Sequence, residues 1–179
     1  MTEGSIKLND QQYQDALAYA ADKYECSRAG GFSPWTYTSE TILSVNDRGM
    51  IAEWAAALIL GLDPHKVLFT KTKDPGYDFL YHGAKVDVKS TKYDTGILIL
   101  NTKDMAKSWE FVVLVIGGGR YYRLTGYMSH EEMAARGTAL KKGAWQPGKG
   151  CTATQEELHP WENLSAACAR LSQLRTYAS

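Results

Sequence analysis

Residues Gly76–Ser90 read GYDFLYHGAKVDVKS. Two short runs of alternating apolar residues flank His82-Gly83, which predicts a β-hairpin. Asp78 lies on its first arm, and Asp87 and Lys89 on its second. Strands have a period of two, so Lys85, Asp87 and Lys89 share one face while Ala84, Val86 and Val88 share the other, the core face. With His82-Gly83 as a two-residue turn, Tyr81 pairs with Ala84, Leu80 with Lys85, Phe79 with Val86 and Asp78 with Asp87. A longer turn would move Asp78 off this pairing. In the shorter register the two aspartates face each other with Cβ atoms roughly 5 Å apart. Like charges so placed are destabilising unless something positive lies between them. A hard divalent cation such as Mg²⁺, which takes carboxylate oxygens, is the economical partner.

The chain around this hairpin has 179 residues, enough for one domain with a real core, and no stretch resembles a long linker. Lys plus Arg equals Asp plus Glu at 20 each, so the formal net charge is zero. That balance argues against tight non-specific binding of nucleic acid driven by charge, but leaves room for a local basic patch. Cys26, Cys151 and Cys168 have neither paired nor metal-ligand spacing and read as reduced, intracellular residues. The start MTEGSIKLND has no apolar run of a signal peptide, and no apolar run is long enough to span a bilayer. The expectation is a soluble cytoplasmic protein with no membrane partner.

Working outward, Asn9 or Asp10 caps a helix over about Gln11–Ser27, with Tyr13, Leu17, Ala20, Ala21 and Tyr24 at helical spacing. A second helix, opened by Asp47, is expected from about Arg48 to Leu60 and closed by Gly61 and Pro64. Its run GMIAEWAAALILG is almost wholly apolar, which marks a helix buried on most sides. Glu53 is the one charge in that run. Two readings compete for it: a carboxylate at the solvent edge or paired with an arginine, and one pointing at the hairpin acids. Lys66–Thr70 is a strand candidate, and Ile97–Leu100 (ILIL) has the look of a central strand. Glu110–Ile116 (EFVVLVI) is the strongest strand, and Gly117–Gly119 turns it back into the next. Ser129 with Glu132 forms a capping box that starts another helix. A final helix spans about Trp161–Leu174. The order predicts an α/β domain: a central mixed sheet flanked by helices.

Glu53, Asp78, Asp87 and Lys89 are the residue types that phosphodiester hydrolysis needs. Carboxylates hold Mg²⁺, which polarises the phosphate and lowers the pKa of a bound water. A neighbouring lysine orients or deprotonates that water and offsets transition-state charge. The backbone carbonyl of Val88 lies between the two side chains and is a further candidate ligand. Taken alone, Asp87 and Lys89 also fit an ordinary solvated strand face.

The set Glu53, Asp78, Asp87-Val88-Lys89 resembles the signature of the PD-(D/E)xK nuclease superfamily, and the hairpin resembles phage- or resolvase-type members. That likeness covers roughly residues 48–130, with helical additions on both sides. It implies a restriction-endonuclease-like core, in which a helix supplies a glutamate and a β-meander supplies an aspartate and then the acid-x-lysine pair. It further implies a Mg²⁺-dependent deoxyribonuclease, with Mn²⁺ as a substitute, leaving 5′-phosphate and 3′-hydroxyl ends. Asp78 and Asp87 would ligate the metal, Glu53 would do so directly or through water, and Lys89 would be the catalytic lysine. DNA is the implied partner, and a homodimer would supply two sites for two strands. A phage-encoded member would work in the host cytoplasm. Tyr77 departs from the family's proline, and the second acid is the shorter aspartate. The alternative is a non-catalytic nucleic-acid-binding or assembly protein of the same fold. Arg48, Lys85, Ser90, Lys92, Lys141, Lys142, Trp145 and Lys149 are the candidate nucleic-acid contacts.

Overall fold

The computed structural model describes residues 3–29, 42–68, 75–136 and 150–178. The first helix, α1 (Asp10–Ala29), follows the short strand β1 (Ser5–Lys7). Asn9 caps it: its side chain accepts from the Gln12 amide at 2.8 Å, while the Gln12 side chain accepts from the Asn9 amide at 3.0 Å. The fully buried stripe of α1 is Ala16, Tyr19 and Ala20; of the expected positions Ala20 lies on it, Tyr13 and Leu17 pack half-buried against the same core, and Ala21 is exposed. Continued one turn at helical spacing, that stripe arrives at Lys23.

Helix α2 (Ile42–Ile59) begins about six residues before the expected start at Arg48. Ile51, Ala52, Trp54, Ala55, Ala56 and Ala57 are buried on almost every side of it. Gly61, with φ of 73°, ends α2: the Leu62 amide bonds the Ala57 carbonyl and the Gly61 amide bonds the Leu58 carbonyl, a left-handed cap that only glycine adopts without strain. Residues Lys66 and Val67, expected in a strand, lie instead in the short helix α3 (Pro64–Val67). Asp63 accepts from the His65 amide and Pro64 occupies the first turn, which is helix-start chemistry; Phe69 and Thr70, the end of the expected strand, lie outside the described residues.

From Phe79 to Val86 the hairpin forms in the expected register, but the ladder ends before Asp78, so the expected Asp78–Asp87 pair is not one of its rungs. Strand β2 (Phe79–Tyr81) pairs antiparallel with β3 (Ala84–Thr91), Phe79 opposite Val86, Leu80 opposite Lys85 and Tyr81 opposite Ala84. His82 and Gly83 both have positive φ, 47° and 79°, as a two-residue turn of the primed kind requires. The turn is docked on the last helix, α6 (Leu164–Ala178), where Ser172 donates to the His82 carbonyl at 2.6 Å.

The main sheet is mixed. Its order is β1, β6 (Tyr121–Ser129), β5 (Phe111–Gly118), β3, β2, with β8 (His159–Pro160) on β6; β3 and β5 run parallel and the other pairs antiparallel. Along β5, Phe111, Val113 and Val115 pack with α1, α2 and α6, while Val112, Leu114 and Ile116 pack on the opposite side. A bulge between Leu114 and Val115 shifts the alternation of β6 by one. Tyr127, Leu124 and Tyr122 thereby all reach the helical side.

The run Ile97–Leu100 is not central. Strand β4 (Leu98–Asn101) pairs with β7 (Gly150–Ala153) in a separate two-stranded sheet. Leu98 and Leu100 cover the second face of the main sheet with Met133 of α5 (His130–Ala135), leaving Ile97 and Ile99 exposed. Helix α4 (Thr102–Met105) follows β4 directly, and its capping box joins Asn101 to Asp104. The expected capping box of Ser129 and Glu132 starts α5. Among the described residues, no helix is long and apolar enough to cross a membrane.

Phe79 is fully buried one residue after Asp78, so it anchors the hairpin arm that carries that acid. Phe79→Ala is expected to cost about 3–5 kcal/mol, the range for a buried aromatic truncated to a methyl. Urea denaturation checks it, and a loss below about 1 kcal/mol would contradict the packing described.

Candidate active site

Asp78 stands just before β2, where the hairpin ladder ends. Its own amide still bonds the Val86 carbonyl at 2.9 Å. Its carboxylate then takes the next rung, accepting from the Val88 amide at 2.7 Å. A residue's amide and carbonyl point to the same side of a strand, so the Val88 carbonyl is turned to this same edge. The side chain of Asp78 therefore sits at the rim between the two layers that cover the sheet.

On the helical side of that rim lies Glu53, only 9 % exposed. Its Oε2 accepts from the Tyr19 hydroxyl at 2.5 Å and from Lys23 Nζ at 2.5 Å. Lys23 Nζ also stands 3.5 Å from Asp78 Oδ1, so this lysine bridges the two acids. Arg48 lies close enough to Tyr122 to oppose the rise of that hydroxyl's pKa, which burial pushes up to about 12.

On the other side lies Asp87, 1 % exposed, which excludes a solvated strand face for it. Lys89 Nζ is 2.9 Å from Asp87 Oδ2 and 2.9 Å from Asp104 Oδ1. The contact to Asp104 is a hydrogen bond. The contact to Asp87 is a close ion pair, and the Lys89 ammonium is the partner of the buried Asp87 Oδ2. Lys107 Nζ is 3.8 Å from Asp87 Oδ1. Asp104 is held from both ends: its Oδ2 accepts from the Asn101 amide at 3.0 Å, and its carbonyl accepts from the Trp109 indole at 2.7 Å.

Burial shapes the charges. It pushes the Glu53 carboxyl up to about 7, with Asp78 adding to the rise and Lys23 opposing it. It pushes Asp87 up to about 6, with Asp78 again adding and Lys89 opposing. For Lys89 burial favours the neutral amine, yet Asp87, Asp104 and Asp78 outweigh it and hold the group above the usual lysine range. Lys23 is raised likewise, against burial, by Glu53 and Asp78. Both lysines are thus ammonium ions at neutral pH. As it stands, Lys89 can orient a water and supply charge but cannot accept a proton.

The structure brings Glu53, Asp78, Asp87 and Lys89 into one electrostatic cluster. Sequence reasoning did not reach Lys23, Tyr19, Asp104 or Lys107. Among the other candidates, Lys85 is half-buried over the Tyr77 ring, with its amide bonded to Glu110 at 2.8 Å. Ser90 is half-buried, and Lys92 is exposed beside the Tyr93 ring. Lys141, Lys142, Trp145 and Lys149 lie outside the described residues.

Among the described residues, no three His, Cys, Asp or Glu side chains form a ready metal cage. The donor set at the rim nevertheless suits one hard cation. Asp78 and Asp87 offer oxygen, the Val88 carbonyl faces the same edge, and Lys89, the partner of Asp87 Oδ2, has a second acceptor in Asp104. Comparison with protein-family models, curated proteins and solved structures gave no match.

Because Glu53 and Asp87 hold protons more tightly in the fold than in the unfolded chain, the native state carries more protons between about pH 4.5 and 7. Stability from these two groups therefore falls as pH rises through that window. Glu132, drawn down to about 2 mainly by its hydrogen bonds to His159 and Ser129 against a burial effect that raises it, acts in the opposite sense but only below about pH 4.5. In chelator, the melting temperature is expected to be higher at pH 5 than at pH 7.5. Asp78→Asn, which removes the charge that raises both carboxyls, is expected to narrow that gap. A melting temperature that climbs from pH 5 to 7.5 would contradict the assignment.

Proposed function

We propose that the protein is a divalent-metal-dependent deoxyribonuclease with a restriction-endonuclease-like core, hydrolysing DNA to 5′-phosphate and 3′-hydroxyl ends. The observation that carries this reading is the convergence of Asp78, Asp87 and Lys89 on one rim of the hairpin, with Asp78 bonded to the Val88 amide and Lys89 2.9 Å from the buried Asp87. The order of elements supports it too: a buried-helix glutamate, then a hairpin with an acid on one arm and acid-x-lysine on the other.

Asp78 and Asp87 would hold Mg²⁺ or Mn²⁺, with the Val88 carbonyl beside them and Glu53 completing the acidic set from α2. The ion, when bound, supplies Lewis-acid stabilisation of the phosphate and an activated water. Lys89 contributes a fixed positive charge beside that position, kept in place by Asp104. Tyr19 and Lys23 keep the Glu53 carboxylate oriented. DNA is the proposed substrate, and a homodimer the proposed way to cut both strands.

One observation favours a second reading. Glu53, Asp78, Asp87 and Asp104 each have a lysine partner within 4 Å, and such a network satisfies buried acids without any metal. On that reading the protein is a non-catalytic nucleic-acid-binding or assembly protein of the same fold.

Incubation with supercoiled, linear, branched and single-stranded DNA in Mg²⁺ and in Mn²⁺ separates the two. Cleavage is expected with either ion and none in chelator. Lys89→Ala is expected to slow it by about 10²-fold or more, the usual cost of removing a preorganised charge at a transition state. Cleavage by the variant at the wild-type rate would remove Lys89 from the mechanism, and no cleavage of any substrate would favour the second reading.

A further inference from the structure

The two lysines of the rim are not equivalent. Lys89 has a second acceptor in Asp104 Oδ1 at 2.9 Å, and Asp104 is itself anchored by the capping box of α4. Lys89 can therefore draw back from Asp87 and keep a full hydrogen bond. Lys23 arrives from the far side, at the end of the buried stripe of α1, and lies between Glu53 Oε2 at 2.5 Å and Asp78 Oδ1 at 3.5 Å. Its stem passes the Tyr19 ring, with Nζ 5.5 Å from the ring centroid, and the Tyr19 hydroxyl shares its acceptor oxygen.

We propose that Lys23 is a built-in cation of this site, standing where a second divalent ion would otherwise bridge Glu53 and Asp78, so that each chain takes one ion, at Asp78 and Asp87. The inference rests on the metal-site reading above and concerns how many ions that site accepts. A Mg²⁺ ion bridging two carboxylates must sit about 2.0–2.1 Å from an oxygen of each. Between Glu53 and Asp78 that volume is taken by the Lys23 ammonium. The charge balance points the same way. Among the described residues, four carboxylates (Glu53, Asp78, Asp87, Asp104) face three ammonium groups (Lys23, Lys89, Lys107), so a single divalent ion already turns that set positive. Two would leave it strongly so among largely buried side chains. Glu53 then acts on the ion through Lys23 rather than as its ligand, and Lys23 is a positioning residue: it fixes Glu53 and Asp78 without touching the reacting atoms.

The test is a count of bound Mn²⁺ on the full chain at pH 8, from the electron paramagnetic resonance signal of the free ion. Wild-type protein is expected to bind one ion per chain. Lys23→Met is expected to bind two, and Lys23→Arg, which keeps the charge, one. If Lys23→Met does not fold, Lys23→Gln carries the same expectation of two. Two ions on the wild type would overturn the inference while leaving a metal-dependent nuclease intact. One ion on the folded, uncharged variant would overturn it as well. No bound ion on the wild type would sink both this inference and the metal-site reading.

Discussion

The hydrogen bond from the Val88 amide to the Asp78 carboxylate joins the site to the sheet. It replaces a rung of the β2–β3 ladder at the point where β2 gives out, and so a side chain does what backbone normally does. This fixes the Asp78 carboxylate at the rim, within reach of Lys23 from the helical layer and of the charges of Asp87 and Lys89 on the opposite face. The rest of the fold protects that rung. Phe79 anchors the arm in the core, and α6 holds the turn at His82. A reciprocal pair, the Glu110 amide to the Lys85 carbonyl at 2.9 Å and the Lys85 amide to the Glu110 carboxylate, sets where β3 meets β5.

Burying carboxylates in such a place has a physical consequence. Removal from water favours their neutral forms, and each acid worsens the position of the next. Lysines from α1, β3 and the segment after α4 offset the charge, and Lys23 and Lys89 are themselves held charged by it. Burial pushes Glu53 up to about 7 and Asp87 up to about 6, both above the usual carboxylate range. A cation entering at the Asp87 Oδ2 atom would replace the Lys89 ion pair with direct coordination, and Lys89 has Asp104 to fall back on.

The hairpin was legible because its determinants are local. His82-Gly83 specifies a primed turn, the turn specifies the register, and the register specifies which side chains share a face. Glu53 was legible as a lone charge in an apolar helix. The partners of these acids were not, for they depend on packing. Lys23 is separated by 30 residues from Glu53, and its one trace in the sequence is that it continues the Ala16, Tyr19, Ala20 stripe at helical spacing. The face expected from Tyr13, Leu17, Ala20, Ala21 and Tyr24 does not include it. Asp104 reads as an ordinary capping residue of a four-residue helix, and only the fold shows that its second oxygen is turned on Lys89. The run at Ile97–Leu100 misled for a similar reason: apolar content marks burial, but not which sheet a strand joins.

The central claim is that the rim of the hairpin is a cation site shared by Asp78 and Asp87. A crystal structure of the protein soaked in Mn²⁺, with anomalous diffraction, tests it most directly. The account predicts an anomalous peak in ligand contact with both Asp78 and Asp87 Oδ2, with Lys89 withdrawn onto Asp104. The absence of a peak there, with Lys89 still on Asp87 and Lys23 still bridging Glu53 and Asp78, would contradict it.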